Sequence, residues 1–162
     1  MHFRYVGQGQ LLSFRSQDHS FAILKTYHDL LVSLTIMIPL SKLTGGTIPS
    51  TIGRLTALAY LSFQENFFSG TLPSDIGKLT ALTYLDFSMN ELSGSIPSSI
   101  IKLTNLRSLA LWSNKFVGSI PSNIGNLSDL ERLNLSNNGL TGSIPSSVAK
   151  LTDIKSLHLN GM

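Results

Sequence analysis

The side chains able to do covalent or metal chemistry are few and scattered. The 162 residues hold four histidines, nine carboxylates and no cysteine. Without thiols there is no disulfide and no thiolate metal site. His2, His19 and His28 lie before residue 30 and His158 near the other end, with no metal-ligand spacing among them. Gly7-Gln8-Gly9 is half of a dinucleotide-binding fingerprint, without the third glycine or a strand before it. No catalytic, cofactor or metal site is expected. The chain offers recognition chemistry instead. Tyr60, Gln64, Tyr84, Asp86, Trp112, Arg132, Asn134 and His158 supply aromatic faces, a guanidinium fork and polar tips, and aromatics and arginine are the usual anchors of binding surfaces.

Those eight residues are tied together by an internal period. Glycine stands two residues before Ile-Pro or Leu-Pro at Gly46, Gly70, Gly94, Gly118 and Gly142, each twenty-four apart. Leu61, Leu85, Leu109, Leu133 and Leu157 keep the same register. So do Phe63, Phe87, Leu111, Leu135 and Leu159, followed by Asn66, Asn90, Asn114 and Asn138. In Arg132-Leu133-Asn134-Leu135-Ser136 apolar and polar residues alternate, the period of a half-buried strand. A short strand recurring every twenty-four residues coils the chain and stacks the strands as a parallel sheet. The alternation sends Tyr60, Ser62 and Gln64 outward, and with them Tyr84, Asp86 and Ser88. Ser108, Ala110 and Trp112 follow, then Arg132, Asn134 and Ser136, and finally Ser156, His158 and Asn160. Trp112 is the only tryptophan and stands where other repeats place Gln64, Ser88 and Ser136. It is either a binding anchor or a cover for a neighbour's stem, and Tyr60 and Tyr84 share a column in which they can simply stack.

The conserved spelling within one chain also assigns the structural positions. An asparagine amide donates and accepts, so the asparagine column is expected to satisfy backbone groups of its own and the adjacent coil. Pro49, Pro73, Pro97, Pro121 and Pro145 belong where the returning segment needs no ladder donor. The serine after each proline is expected to cap a short helical turn ending near Gly53, Gly77 or Gly125. Ile101 and Ala149 interrupt that glycine column, so those turns are expected to close differently. Asp86-Phe87-Ser88 has the outline of a kinase metal-binding triplet, but its column assigns Phe87 to the core.

The segment LTALTYLDFSMNELSGSIPSSIIKL, Leu79 to Leu103, fits LxxLxxLxLxxNxLxGxIPxxIGxL and resembles the plant-type leucine-rich repeat over about residues 46–162. The resemblance implies an α/β right-handed solenoid with a parallel sheet on the concave face and short 3-10 and extended segments on the convex face. It further implies a receptor-like ectodomain or a secreted inhibitor of polysaccharide-degrading enzymes, binding a protein or peptide through its concave face. A purely structural solenoid without its own ligand is the alternative. Fold alone does not decide between them.

The charge balance speaks against nucleic acid. Net charge is +3, but residues 46–162 hold eight Lys/Arg against seven Asp/Glu, with no basic stripe. Residues 1–29 are expected to be an irregular leader or cap, with Phe3, Tyr5, Phe14 and Phe21 available to cover the first coil. Residues 30–45 read as a degenerate first repeat in which Ile36, Ile38, Ser41, Leu43 and Gly45 take the repeat positions and Gly46 is an insertion. The repeats then run over 46–162, the last truncated. The family's end-cap cysteines are missing, which suggests a fragment able to self-associate through uncapped ends. The run Leu30–Leu40 is too short to span a bilayer and lacks a clear cleavage site after it, so localisation rests on the resemblance, which implies the cell surface or exterior. Asn126-Leu127-Ser128 and Asn134-Leu135-Ser136 are N-glycosylation sequons, and matter only on secretion.

Overall fold

A computed structural model describes residues 34–37 and 45–161. The expectations for residues 1–29, and for Ile38, Ser41 and Leu43, fall outside the described residues. The period appears as coils, whose strands form two parallel sheets, one of six strands and one of five among the described residues. Strands β1 (Leu34–Met37), β3 (Leu58–Ser62), β5 (Tyr84–Asp86), β7 (Ser108–Ala110), β9 (Arg132–Asn134) and β11 (Ser156–His158) form the concave sheet in that order. Strands β2 (Gly46–Thr47), β4 (Phe68–Thr71), β6 (Glu91–Gly94), β8 (Lys115–Gly118) and β10 (Gly139–Leu140) form the second sheet, also in chain order. Between β3 and β11 the concave register is strict, with Leu61, Leu85, Leu109, Leu133 and Leu157 opposite one another. At β1 the register slips by one residue after Leu34, so that Ile36 faces Leu61, twenty-five positions on.

The leucine and phenylalanine columns fill the space between the sheets. Phe63 stacks on Phe87 and on Phe68 with ring centroids 5.2 and 5.0 Å apart, and Phe87 and Phe116 are fully buried. Offset stacking adds to the burial of these large rings.

Where each concave strand ends, the residue before the asparagine turns left-handed, at Glu65, Met89, Ser113 and Asn137. The asparagine then closes the bend. Asn114 Nδ2 donates to the Phe87 carbonyl of the preceding coil at 2.8 Å and to Leu111 of its own at 3.1 Å, while its Oδ1 accepts the Leu92 N–H at 3.0 Å. Asn90 and Asn138 repeat the arrangement one coil either way.

The convex side corrects two expectations. Short 3-10 turns span Ser50–Arg54, Ser74–Lys78, Ser98–Lys102, Ile124–Asn126 and Ser146–Lys150, but no side chain caps any of them. The first serine of a turn therefore has no capping role. Proline holds the cap position in four of the five, its ring fixing an extended entry. Serines one residue further on tie coils together instead, Ser99 Oγ donating to the Ser74 carbonyl and Ser147 Oγ to that of Ser122, both at 2.6 Å.

The second correction concerns the interrupted glycine column. The turn containing Ile101 closes like the others, Leu103 N–H to the Ile100 carbonyl at 3.1 Å, and Leu151 N–H bonds Val148 at 3.0 Å in the turn containing Ala149. Glycine is required by the neighbour, not by the closure. A Cβ on Gly53, Gly77 or Gly125 would stand 2.7, 2.4 or 2.0 Å from the carbonyl oxygen of Asp75, Ser99 or Ser147 in the next coil. The residue in that facing column after Ile101 is Asn123, and there the next turn gives way. Asn123 leaves the helix, at φ −102° and ψ 28°, and the 3-10 segment shortens to Ile124–Asn126.

Two outcomes are expected in urea unfolding. Asn114→Ala strands the Leu92 N–H and weakens the bonding of three carbonyls, a loss of about 2 kcal/mol or more; a loss under about 0.5 kcal/mol would mean that the column does not hold the coils together. Gly77→Ala is expected to cost about 1–3 kcal/mol by overpacking against Ser99, whereas Ala149→Gly, with no described coil facing it, should cost no more than the intrinsic penalty of glycine.

Candidate functional site

Three rows of outward side chains cross the concave sheet. Tyr60, Tyr84, Ser108, Arg132 and Ser156 form the first, and Ser62, Asp86, Ala110, Asn134 and His158 the second, each member opposite the next by strand pairing. Gln64, Ser88, Trp112, Ser136 and Asn160 continue past the strand ends in the third. On β7 the first two rows carry Ser108 and Ala110, whose small side chains leave a floor between larger neighbours. The result is an open depression of about 260 Å³. Of the eight residues expected to bind, it brings together Tyr84, Asp86, Trp112, Arg132, Asn134 and His158; Tyr60 and Gln64 do not line it.

Each wall has a different character. Tyr84 lies flat on Tyr60, with centroids 4.1 Å apart and planes 1° from parallel, and its hydroxyl donates to Asp86 Oδ2 at 3.1 Å. Burial, followed by the Asp86 charge, pushes the Tyr84 phenol well above the ordinary tyrosine range, so it remains a neutral donor. Trp112 is half-buried and lines the depression. Across from the tyrosine pair stands Arg132, its side chain 55% exposed.

Asp86 does not face solvent as the alternation led us to expect. It is only 5% exposed, and Ser62, Ser88, Ser108 and Ser136 are buried as well. Short polar side chains on a concave sheet are covered by their larger neighbours, and here they bond locally. Asp86 Oδ1 accepts from the backbone N–H and the hydroxyl of Ser88 at 2.9 and 2.5 Å. Asn134 Oδ1 accepts the corresponding pair from Ser136 at 3.1 and 2.6 Å. Both are local turn bonds that fix the strand exit. They also occupy the hydroxyl and the amide oxygen of the second sequon, whereas Asn126 and Ser128 of the first are exposed on a convex turn.

The rim carries charges that the strand alternation did not single out. Glu131, just before β9, receives Lys155 Nζ at 2.8 Å, with Arg107 Nη1 at 3.7 Å and Arg132 Nη1 at 4.0 Å. The hydrogen bond and charge of Lys155, then Arg107 and Arg132, hold the Glu131 carboxyl below the usual carboxylate range. The signal was available: Arg107, Glu131 and Lys155 are one column of the repeat, one residue ahead of the first row. Ser108 and Ala110 also escaped notice as site residues, because a cavity is made by what is small. Among the described residues no group of three or more His, Asp or Glu could hold a metal, and no helix is long and apolar enough to cross a membrane. His2, His19, His28 and Gly7-Gln8-Gly9 lie outside the described residues.

Known structures share this architecture. The chain superposes with a TM-score of 0.70 on the ectodomain of the Arabidopsis thaliana membrane receptor kinase GASSHO1/SCHENGEN3, solved in complex with CASPARIAN STRIP INTEGRITY FACTOR 2. Identity is 41% over 72% of this chain and 14% of that one. The plant peptide hormone receptor RGFR1, solved with RGF2, matches with a TM-score of 0.75 at 35% identity, over 78% of this chain and 21% of that one. The Arabidopsis thaliana BIR3–SERK2 complex gives 0.62 at 41%, over 69% and 61%. The chain thus spans about a fifth or less of the first two receptors. No curated protein matches significantly. A model described as a leucine-rich repeat region matches residues 13–160, nearly the whole chain, and with the stacked coils, the two parallel sheets and the asparagine column this places the protein in the leucine-rich repeat family.

Proposed function

We propose that this protein is a non-catalytic recognition module of a receptor-like protein, working at the cell surface or outside the cell and binding a protein or peptide on its concave face. The observation that carries the reading is the depression on β7, where Ser108 and Ala110 form the floor and Tyr84, Trp112 and Arg132 the walls. Aromatic and arginine side chains around a recess are the composition of binding hot spots. The strand ladder fixes their spacing before any ligand arrives, so little ordering is required on binding. Similar ectodomains were solved with bound partners, CASPARIAN STRIP INTEGRITY FACTOR 2 and RGF2 among them. That supports a protein or peptide ligand without naming it.

The immobilised protein and a Trp112→Ala/Arg132→Ala double variant would be compared for capture of secreted proteins and peptides, with Lys102→Ala on the convex side as control. We expect the double variant to lose at least about tenfold in affinity, roughly 1.4 kcal/mol, and Lys102→Ala to lose none. Equal capture by wild type and double variant would remove the concave face from the function.

A further inference from the structure

Resting on the reading of the concave face as a peptide-binding surface, we propose that the β7 depression selects an acidic residue, Asp or Glu, within an extended peptide, with Arg132 receiving its carboxylate.

Charge is unbalanced around Glu131. Three cations, Arg107, Arg132 and Lys155, share a single carboxylate. Lys155 bonds it at 2.8 Å, and Arg132 is left at 4.0 Å, beyond hydrogen-bond distance. The Arg132 side chain therefore lines the depression 55% exposed, with no carboxylate at hydrogen-bond distance from its guanidinium. A planar fork of this kind matches a carboxylate with two parallel bonds.

No free carboxylate lining the depression competes for that fork; the hydroxyls of Ser108 and Ser156 and the ring of His158 also line it, with Ser156 Oγ and His158 Nδ1 3.1 Å apart. Asp86 is the only carboxylate of the depression; it is buried, with Oδ1 bonded to Ser88 and Oδ2 to Tyr84. The oxygen of Asn134 is likewise taken by Ser136, so this side chain presents amide donors. The β9 side of the recess is thus rich in donors and the opposite side is aromatic. Tyr84 and Arg132 are separated by one strand, about 10 Å at sheet spacing, which admits one side chain above Ser108. A lysine or arginine in that position would meet the surplus positive charge of the rim, and a neutral amide would leave the fork half matched.

The test uses the full chain and sets of short immobilised peptides, amidated at the C-terminus, with mixed flanking residues and a fixed central Glu, Gln or Lys. Wild type is expected to retain the Glu set at least about tenfold over Gln and to reject Lys. Arg132→Ala should erase the difference between Glu and Gln, and Arg132→Gln should do the same with closer packing. Unchanged thermal melting of both variants shows that the fold is intact, as the exposure of Arg132 leads us to expect. A Glu preference that survives Arg132→Ala, a preference for Lys, or retention only of a parallel set of Gln peptides with a free C-terminal carboxylate each overturns the proposal. Retention of peptides without charge preference overturns it while leaving the broader reading intact; retention of no peptide in any set counts against both.

Discussion

Each coil is held to the next by backbone carbonyls that point into the core and meet a side-chain amide there. The Phe87 carbonyl accepts from Asn90 of its own coil at 3.1 Å and from Asn114 of the following one at 2.8 Å. A buried carbonyl without a donor costs more than a satisfied one contributes, so this column is a condition of folding and not an ornament to it. The left-handed residue before each asparagine follows from the same condition. It aims the amide inward, and the backbone ladder continues through it, Met89 N–H to Trp112 carbonyl and Ser113 N–H to Ser136 carbonyl, both at 3.0 Å. Strand spacing on the concave face is set by this ladder, and every side chain placed on that face inherits it.

Because inward letters are fixed by the neighbour, chemistry is confined to the outward ones, and it arises from contrast between coils. Tyr60 and Tyr84 repeat and therefore stack. Ser108 and Ala110 break the run of larger residues and open a recess; Arg132 breaks it again on the far side. The charged rim follows the same logic, since one Glu131 between Arg107 and Lys155 is a difference between adjacent coils at one column. Recognition on a solenoid is thus written in departures from the repeat.

The fold was legible because its determinants recur. The leucine columns, the asparagine column and the prolines can be read by comparing the chain with itself, and each has a local physical meaning. Which outward residues are truly exposed was not legible, since the alternation of a strand gives direction and not cover. Asp86 points outward and is nonetheless enclosed by Ser88 and Tyr84. The glycine column misled for a related reason. Gly77 looks like the end of its own turn, but the atom that forbids a side chain there belongs to Ser99, twenty-two residues on.

That convex contact bears on the concave face. The ladder pins coils at strand spacing on one side, so a residue that would crowd the turns on the other is accommodated by a change in the turns themselves. Ile101 takes the glycine position of the turn Ser98–Lys102, and the next turn is the shortened one at Ile124–Asn126, between the coils of β7 and β9. The shortened turn leads into β9, the strand that carries Arg132. A side chain on the outer wall thereby alters the turn that feeds a strand of the inner one, so that the letters of the two walls are coupled within a coil.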